Sequence, residues 1–266
     1  MWPDLWLLEN QLPLFILNDL FNLAKTAAYD DEYEGLSLIT ITFGFAQAVL
    51  TVLPIENSLL EIFFLQATHF LDWLRLSLQP SQEPIKTEFQ AQNIPSAMEL
   101  HQGGVKFQLG SSKTLLDISF NKGTLESPFL TVYDNSVSFY RNILAFENMH
   151  GYSRYFNDYV IMMSYLVNTA KDAELLIQNG VIGLGNSERL SSVFRSLVKE
   201  SSLSGNFQYS GLVENLNIHC GHRCNKWKAI LKQNYFNTPW ASISVVAAVI
   251  LLVLTCIQTA CSIVAL

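Results

Sequence analysis

Apolar residues recur at helical spacing along most of this chain. Between residues 60 and 74 they follow the i, i+3, i+4 pattern of one amphipathic helix, which Asn57 can cap at its start. Residues 5–25 predict an apolar opening and then a helix, with Pro13 suited to its first turn. Residues 36–53 are ambiguous between helix and strand. The same criteria predict further helices at about 137–149, 153–170, 172–178, 187–201 and 212–236.

A different pattern interrupts these helices between residues 105 and 133. Three short segments rich in β-branched and aromatic residues, 105–109, 115–120 and 128–133, are separated by Gly- and Asn-containing turns. They predict a small antiparallel sheet inserted into a mainly α-helical body. The predicted fold class is therefore mainly α, with a helical body over residues 1–238 and a separate C-terminal segment over residues 239–266.

The C-terminal segment carries no charged residue from Trp240 to Leu266. A bilayer core needs roughly 20 apolar residues in a helix, so this run predicts a single transmembrane anchor that includes Trp240, Leu254, Gln258 and Leu266. Basic residues near a span favour the cytoplasmic side, which predicts a cytosolic body on a plasma membrane or endomembrane. The basic residues before the run are Arg223, Lys226, Lys228 and Lys232.

The anchor and the charge of the chain suggest partners. The lipid bilayer is the first expected partner, and Thr255, Gln258 and Thr259 form a polar stripe through which two copies could associate. The alternative is that these threonines bond their own helix backbone. The net charge of −7 disfavours non-specific binding to nucleic acid.

Motifs that could carry chemistry are weak. Cys220 and Cys224, with His219 or His222, could hold a metal, but an inert pair is the stronger interpretation because a second Cys/His pair is lacking. The three residues from Glu9 to Gln11 could orient a substrate, although polar groups beside a helix start more often satisfy backbone donors. The aromatic residues between 139 and 159 are expected in the core. We therefore expect no catalytic residues, cofactor or metal.

Several strings resemble the plant DUF247 family, also called UPF0481. They are the LLENQLP block at residues 7–13, IPSAMEL at 94–100 followed by GVKF at 104–107, LLDISF at 115–120 through LTVYD at 130–134, and RNILAFE at 141–147. The chain end, with YFNTPW at 235–240 and LTCIQT at 254–259, is also similar to that family. Members usually carry a substantial segment before the LLENQxP block, so the resemblance implies a C-terminal portion of a longer relative with exposed apolar helix faces.

The resemblance implies a protein of unknown biochemical activity. We expect a non-enzymatic protein that acts through protein–protein contacts in recognition or signalling, since some members are associated with pollen–stigma self-incompatibility. Two alternatives remain: a hydrolase acting at a membrane surface, which needs a nucleophile, a base and an orienting acid in one pocket, and a non-functional truncated relative.

Overall fold

A computed structural model describes residues 3–28, 35–50, 57–81, 94–112, 114–133, 136–151, 153–183, 187–201, 206–221 and 239–264. Most of these residues are helical, which confirms the mainly α prediction. The α-helices are α1 (Leu14–Ala28), α2 (Leu38–Leu50), α3 (Asn57–Gln66), α4 (Phe70–Ser77), α5 (Ala97–Gln102), α6 (Ser136–His150), α7 (Tyr155–Leu166), α8 (Ala170–Gln178), α9 (Ser187–Leu197), α10 (Ser210–Gly221) and α11 (Pro239–Val264). Short 3-10 turns lie at Pro3–Trp6, Leu8–Asn10 and Val198–Glu200.

The small sheet is mixed. Its strands are β1 (Lys106–Leu109), β2 (Ser119–Asn121) and β3 (Thr124–Ser127), in the order β1-β3-β2. β2 and β3 are antiparallel, because Lys122 and Gly123 have positive φ angles of 47° and 83° and close a tight hairpin. β1 is parallel to β3, since β2, which lies between them in the chain, runs in the opposite direction. The prediction of a wholly antiparallel sheet is therefore wrong.

The third predicted strand, residues 128–133, is also absent from the sheet. Leu130 instead forms an isolated parallel bridge with Ile182, and its backbone N–H donates to the carbonyl of Val181 at 3.1 Å. This segment joins the β insert to the turn that follows α8. A run of apolar residues fixes burial but does not specify a partner strand.

α6 and α7 form the centre of the core. Tyr140, Phe156 and Tyr159 are at most 1% exposed, and Phe146 is buried beside them, which confirms the core prediction for these residues. Tyr155 is only half-buried, and Tyr152 lies outside the described residues. The ring centroids of Tyr140 and Phe156 lie 5.3 Å apart. These large rings hold the two helices together through buried apolar area and favourable ring–ring geometry.

Two carboxylates inside this core fasten helix starts and loops. Glu147 of α6 accepts hydrogen bonds from the backbone N–H groups of Phe156 and Asn157, at 3.1 and 2.9 Å, in the first turn of α7. Burial raises its pKa to about 7, although these bonds act in the opposite direction. Asp158 accepts from the backbone N–H of Gln208 at 2.8 Å, and burial raises its pKa to about 6.

α10 closes the body against the sheet. The His219 ring packs edge-on against Phe120 with centroids 5.3 Å apart, and a Cβ added at Gly103 would overlap the sulfur of Cys220. These two members of the His/Cys cluster therefore make packing contacts. Among the described residues, no group of three or more His, Cys, Asp or Glu side chains could hold a metal ion. His222 and Cys224 lie outside the described residues.

The predicted transmembrane anchor is wrong. The uncharged run does form helix α11, and Trp240 lies within it, but no helix among the described residues combines the length and apolarity that crossing a bilayer requires. A stretch without charge is a weaker criterion than a continuous apolar helix. Three predictions that depend on the anchor are therefore wrong as well: the membrane span in the fold, the single-pass topology and the membrane localisation.

The individual residues named for that anchor are placed as follows. Leu254 and Gln258 are exposed on α11, whereas Leu266 lies outside the described residues. The basic residues Arg223, Lys226, Lys228 and Lys232 also lie outside them. The hydroxyls of Thr255 and Thr259 donate to the carbonyls of Leu251 and Thr255, each at 2.7 Å, as the alternative interpretation of the stripe expected. Self-association through this helix stays a prediction.

Candidate functional site

A break in the helix predicted over residues 57–74 creates the most distinctive site of the described structure. α3 ends at Gln66 and α4 begins at Phe70, so the prediction of one continuous helix is wrong. Thr68 cannot continue the helix because its carbonyl accepts the backbone N–H of Leu14 at 2.9 Å. Pro13 and His69 form an antiparallel bridge beside that bond. The contact with the start of α1 therefore separates α3 from α4.

His69 caps the start of α4. Its Nδ1 accepts the backbone N–H of Asp72 at 3.1 Å, so the neutral ring carries its proton on Nε2. Burial lowers the pKa of His69, and the nearby His150 and Arg75 lower it further against the opposing attraction of Asp72. The cap therefore acts in the neutral form of the ring, which is favoured above the usual pKa of histidine.

Asp72 stabilises the α3–α4 corner, which is the break between the end of α3 at Gln66 and the start of α4 at Phe70. Its Oδ2 accepts from the backbone N–H and the hydroxyl of Thr68, both at 3.0 Å, and its Oδ1 accepts from Nε and Nη2 of Arg75 at 3.0 and 2.8 Å. Burial opposes its ionisation, but the bonds from Thr68 and Arg75 outweigh this effect and lower the pKa of the carboxyl. Because both charges are only about 5–7% exposed, loss of one partner would leave the other buried and uncompensated.

Gln11 ties the N-terminal residues to this corner. Its side-chain carbonyl accepts the backbone N–H of Leu71 at 2.9 Å, and its amide donates to the carbonyls of Leu5 and Leu7 at 2.9 and 2.7 Å. The interpretation of the Glu9–Gln11 block as a group that satisfies backbone partners is thus confirmed for Gln11. The helix start that it serves is α4, sixty residues away, and not α1.

Two further contacts complete what we call the N-terminal strap, residues 3–13. The backbone N–H of Leu8 donates to Oδ1 of Asn142 in α6 at 2.8 Å. Trp6 is buried and meets Phe139 edge-on with ring centroids 5.7 Å apart. The strap therefore crosses α4 and α6 and holds the beginning of α1 against the corner.

An open cleft of about 440 Å³ lies where the strap meets the corner. Its walls come from the strap and start of α1 on one side and from the α3–α4 break on the other: Gln11, Pro13, Phe15, Ala67, Thr68 and His69. Most of this lining is apolar. The described hydrogen bonds of Gln11, the Thr68 hydroxyl and His69 Nδ1 are already directed to the protein's own backbone or to Asp72.

α1 continues from this cleft with an uncovered apolar face. We call five exposed residues the apolar row. Leu12 precedes α1, and Phe15, Ile16, Leu20 and Leu23 follow along one side of that helix at mainly three- and four-residue spacing; the five are 55, 68, 38, 55 and 67% exposed. Phe15 belongs both to this row and to the wall of the cleft. Near the end of α3, Leu65 is 75% exposed. Cleft and row thus form one continuous apolar surface.

The sequence did not reveal this site. The polar residues Thr68, His69 and Asp72 interrupt an apolar run, and a polar residue followed three positions later by an acid is a helix-start signal. That signal was available in the chain, but the helical spacing of the apolar residues on both sides of it concealed the break.

Fold and site together define a mainly helical protein whose N-terminal strap and α3–α4 corner enclose an apolar cleft. The chain belongs to the DUF247 family, described as a plant protein of unknown function, whose model matches residues 1–254. Family membership by itself assigns neither an activity nor the lack of one.

Two relatives from Arabidopsis thaliana are similar to the chain. UPF0481 protein At3g47200 is 26% identical over 286 residues, which cover 96% of this chain and 58% of the relative. Putative UPF0481 protein At3g02645 is 25% identical over 171 residues, covering 62% of this chain and 32% of the relative. The chain therefore spans less than two thirds of the length of either. No solved structure matches it significantly.

Proposed function

We propose that this protein is a non-enzymatic binding module, and that it binds a basic amphipathic helix of another protein on the apolar row of α1. The observation that carries the proposal is the row itself, a series of large apolar side chains left exposed at the start of α1 and along more than two turns of it. Helix-in-groove recognition uses this i, i+3, i+4 series of contacts.

The size of the row supports a specific contact. From the exposed fractions of its five side chains, the row presents roughly 500 Å² of apolar surface, a size at which patches on single proteins are often functional. An interface of standard size buries about 800 Å² on each partner. The row supplies much of that area, and the polar residues around it supply a rim.

Charge favours a basic partner over a second copy of this chain. Asp19 is exposed and lies one turn from both Phe15 and Leu23, within the face that carries the row. A second copy would bring another Asp19 and a net charge of −7 to the contact. A partner helix with lysine or arginine beside its apolar stripe would instead pair with Asp19 and approach faster.

The chemistry of the cleft supports a binding role over a hydrolase. A hydrolytic histidine acts as a base toward a nearby nucleophile, whereas Nδ1 of His69 accepts a backbone N–H of Asp72. The neighbouring hydroxyl of Thr68 donates to the Asp72 carboxylate. These groups are engaged in holding the corner together.

A synthetic peptide tests the proposal on the full chain. The probe is an amphipathic helix of about 16 residues with leucines at three- and four-residue spacing and lysines on both flanks. The matched control peptide has glutamates in place of the lysines. We expect fluorescence anisotropy to show tighter binding of the basic peptide, and Asp19→Lys to reverse the preference between the two peptides.

Leu20→Glu and Leu23→Glu should each weaken binding of the basic peptide about tenfold or more, because a charge would replace a leucine that the bound peptide covers. Met149→Glu is the matched control, since Met149 is 71% exposed on α6, outside the row. Equal binding of both peptides, or equal loss in the Met149 variant, would contradict the proposal. A concentration-dependent dimer that Leu20→Glu dissolves would identify a second copy as the occupant instead.

A further inference from the structure

The cleft at the start of α1 indicates in which orientation a partner helix lies on the apolar row. We infer that the partner helix docks antiparallel to α1, with its C-terminal end in the cleft. The last large apolar side chain of the partner fills the space beside Phe15 and Ala67, and one of its terminal carbonyls accepts a hydrogen bond from His69. This inference rests on the proposed function and specifies the orientation in which the partner helix binds.

The position of the cleft carries the first step. It is lined by Pro13 and Phe15, at the N-terminal end of α1, and Phe15 is shared with the apolar row. A helix lying along the row therefore reaches the cleft with one of its ends. The volume of about 440 Å³ exceeds that of one large aliphatic side chain, so an apolar anchor can enter.

The polarity of the cleft decides which end of the helix enters. Because Nδ1 of neutral His69 accepts the backbone N–H of Asp72, its proton is on Nε2, and no described residue accepts from that atom. The His69 ring packs edge-on against Phe146, with centroids 4.8 Å apart, and His69 lines the cleft, so we assign this donor to the cleft side of the ring. The last four carbonyls of a helix lack partners within the helix, whereas its first four N–H groups would need an acceptor. A helix C-terminus matches this donor and an N-terminus does not.

The dipole of α1 acts in the same direction. The start of α1 carries partial positive charge, and the C-terminus of a docked helix carries partial negative charge. Antiparallel docking brings these ends together. The charged groups around His69 are Asp72 and Arg75 on α4 and His150 on α6. Burial, with smaller effects of His150 and Arg75, lowers the pKa of His69 against the opposing effect of Asp72, so its ring is neutral above the usual pKa of histidine.

The experiment uses two further versions of the basic peptide. One has its C-terminal leucine replaced by alanine and the other has its N-terminal leucine replaced by alanine. For the unmodified chain we expect the C-terminal replacement to weaken binding about tenfold and the N-terminal replacement to weaken it less, since only the C-terminal leucine enters the cleft. A larger loss from the N-terminal replacement would overturn the inference.

Two protein variants separate the cleft from the row. Ala67→Met fills the cleft without changing α1, and it should abolish the difference between the peptide with its C-terminal leucine and the peptide with alanine there. His69→Asn keeps an oxygen that can cap α4 but is too short to donate into the cleft. It should weaken binding several-fold while the thermal unfolding midpoint stays near that of the unmodified protein.

The outcomes distinguish the two levels of the proposal. Binding that is lost in Leu20→Glu but unchanged in both Ala67→Met and His69→Asn would leave the interaction surface standing and overturn the docking direction. Absence of binding to every basic peptide would overturn both. A spin label at the peptide's C-terminus should broaden the NMR signal of the Ala67 methyl group, and broadening only by a label at the N-terminus would reverse the assigned direction.

Discussion

Glu147→Gln should remove a large part of the pH dependence of stability. Glu147 is buried, and its pKa rises from 4.5 to about 7 on folding, mainly because burial disfavours the charged form. Between these two values the folded protein binds more protons than the unfolded chain, so this group's contribution to the free energy of unfolding is fully present below about pH 4.5 and is lost as the pH rises through 7.

The size of this pKa shift determines how much the free energy of unfolding changes with pH. At 1.36 kcal/mol for each pKa unit, the change from 4.5 to about 7 corresponds to about 3 kcal/mol between acidic and neutral pH. Glutamine is neutral at every pH and cannot show this change. Its amide nitrogen would face one of the two N–H groups that Glu147 now accepts, so we also expect a pH-independent loss of about 1–3 kcal/mol.

Urea unfolding of the full chain from pH 5 to 8 measures both effects. The unmodified protein should lose stability across this range, and Glu147→Gln should lose less, with the remaining slope coming in part from Asp158, whose pKa is also raised. Glu174→Gln is the control because Glu174 is exposed on α8. Identical pH profiles for the unmodified protein and Glu147→Gln would refute a buried, proton-binding Glu147.

Two other substitutions test specific contacts in the same unfolding assay. Gly103→Ala should destabilise the protein by about 1–3 kcal/mol because its Cβ would overlap the sulfur of Cys220, and Cys220→Ala should recover part of that loss; additive effects would contradict the contact. Asp172→Ala should cost about 1–3 kcal/mol, since Asp172 accepts from the backbone and hydroxyl of Thr169 at the start of α8 and from the backbone N–H of Met98 in α5. Asp172→Asn should retain more stability than Asp172→Ala, and the reverse order would exclude the cap.

Local pattern located much of the helical body. α6 and α8 lie near their predicted ranges because apolar spacing and capping residues act within a few positions of each other. The break at Thr68 and His69 was missed, because apolar spacing on both sides outweighed the local helix-start signal and the residues that cause the break, Gln11 to Leu14, lie more than fifty positions away in the chain. The candidate site was therefore missed with it.

Two other differences have the same kind of cause. The segment 105–109 contains β1, but only the last two residues of 115–120 belong to a strand, and β3 lies between two predicted segments. The parallel pairing of β1 with β3 depends on the path of the intervening chain and not on either strand's composition. The C-terminal run was correctly expected to be helical, yet lack of charge from Trp240 onward overstated its capacity to span a bilayer.

The strap also has a consequence for synthesis on the ribosome. Leu8 leaves the exit tunnel 134 residues before its partner Asn142. At a synthesis rate of about 5–20 residues per second, that partner arrives roughly 7–27 seconds afterwards. Trp6 stays without its ring partner Phe139 through this interval. The nascent chain thus presents an apolar segment before its partners have been made, so chaperones that survey emerging chains have a binding site before the body can fold.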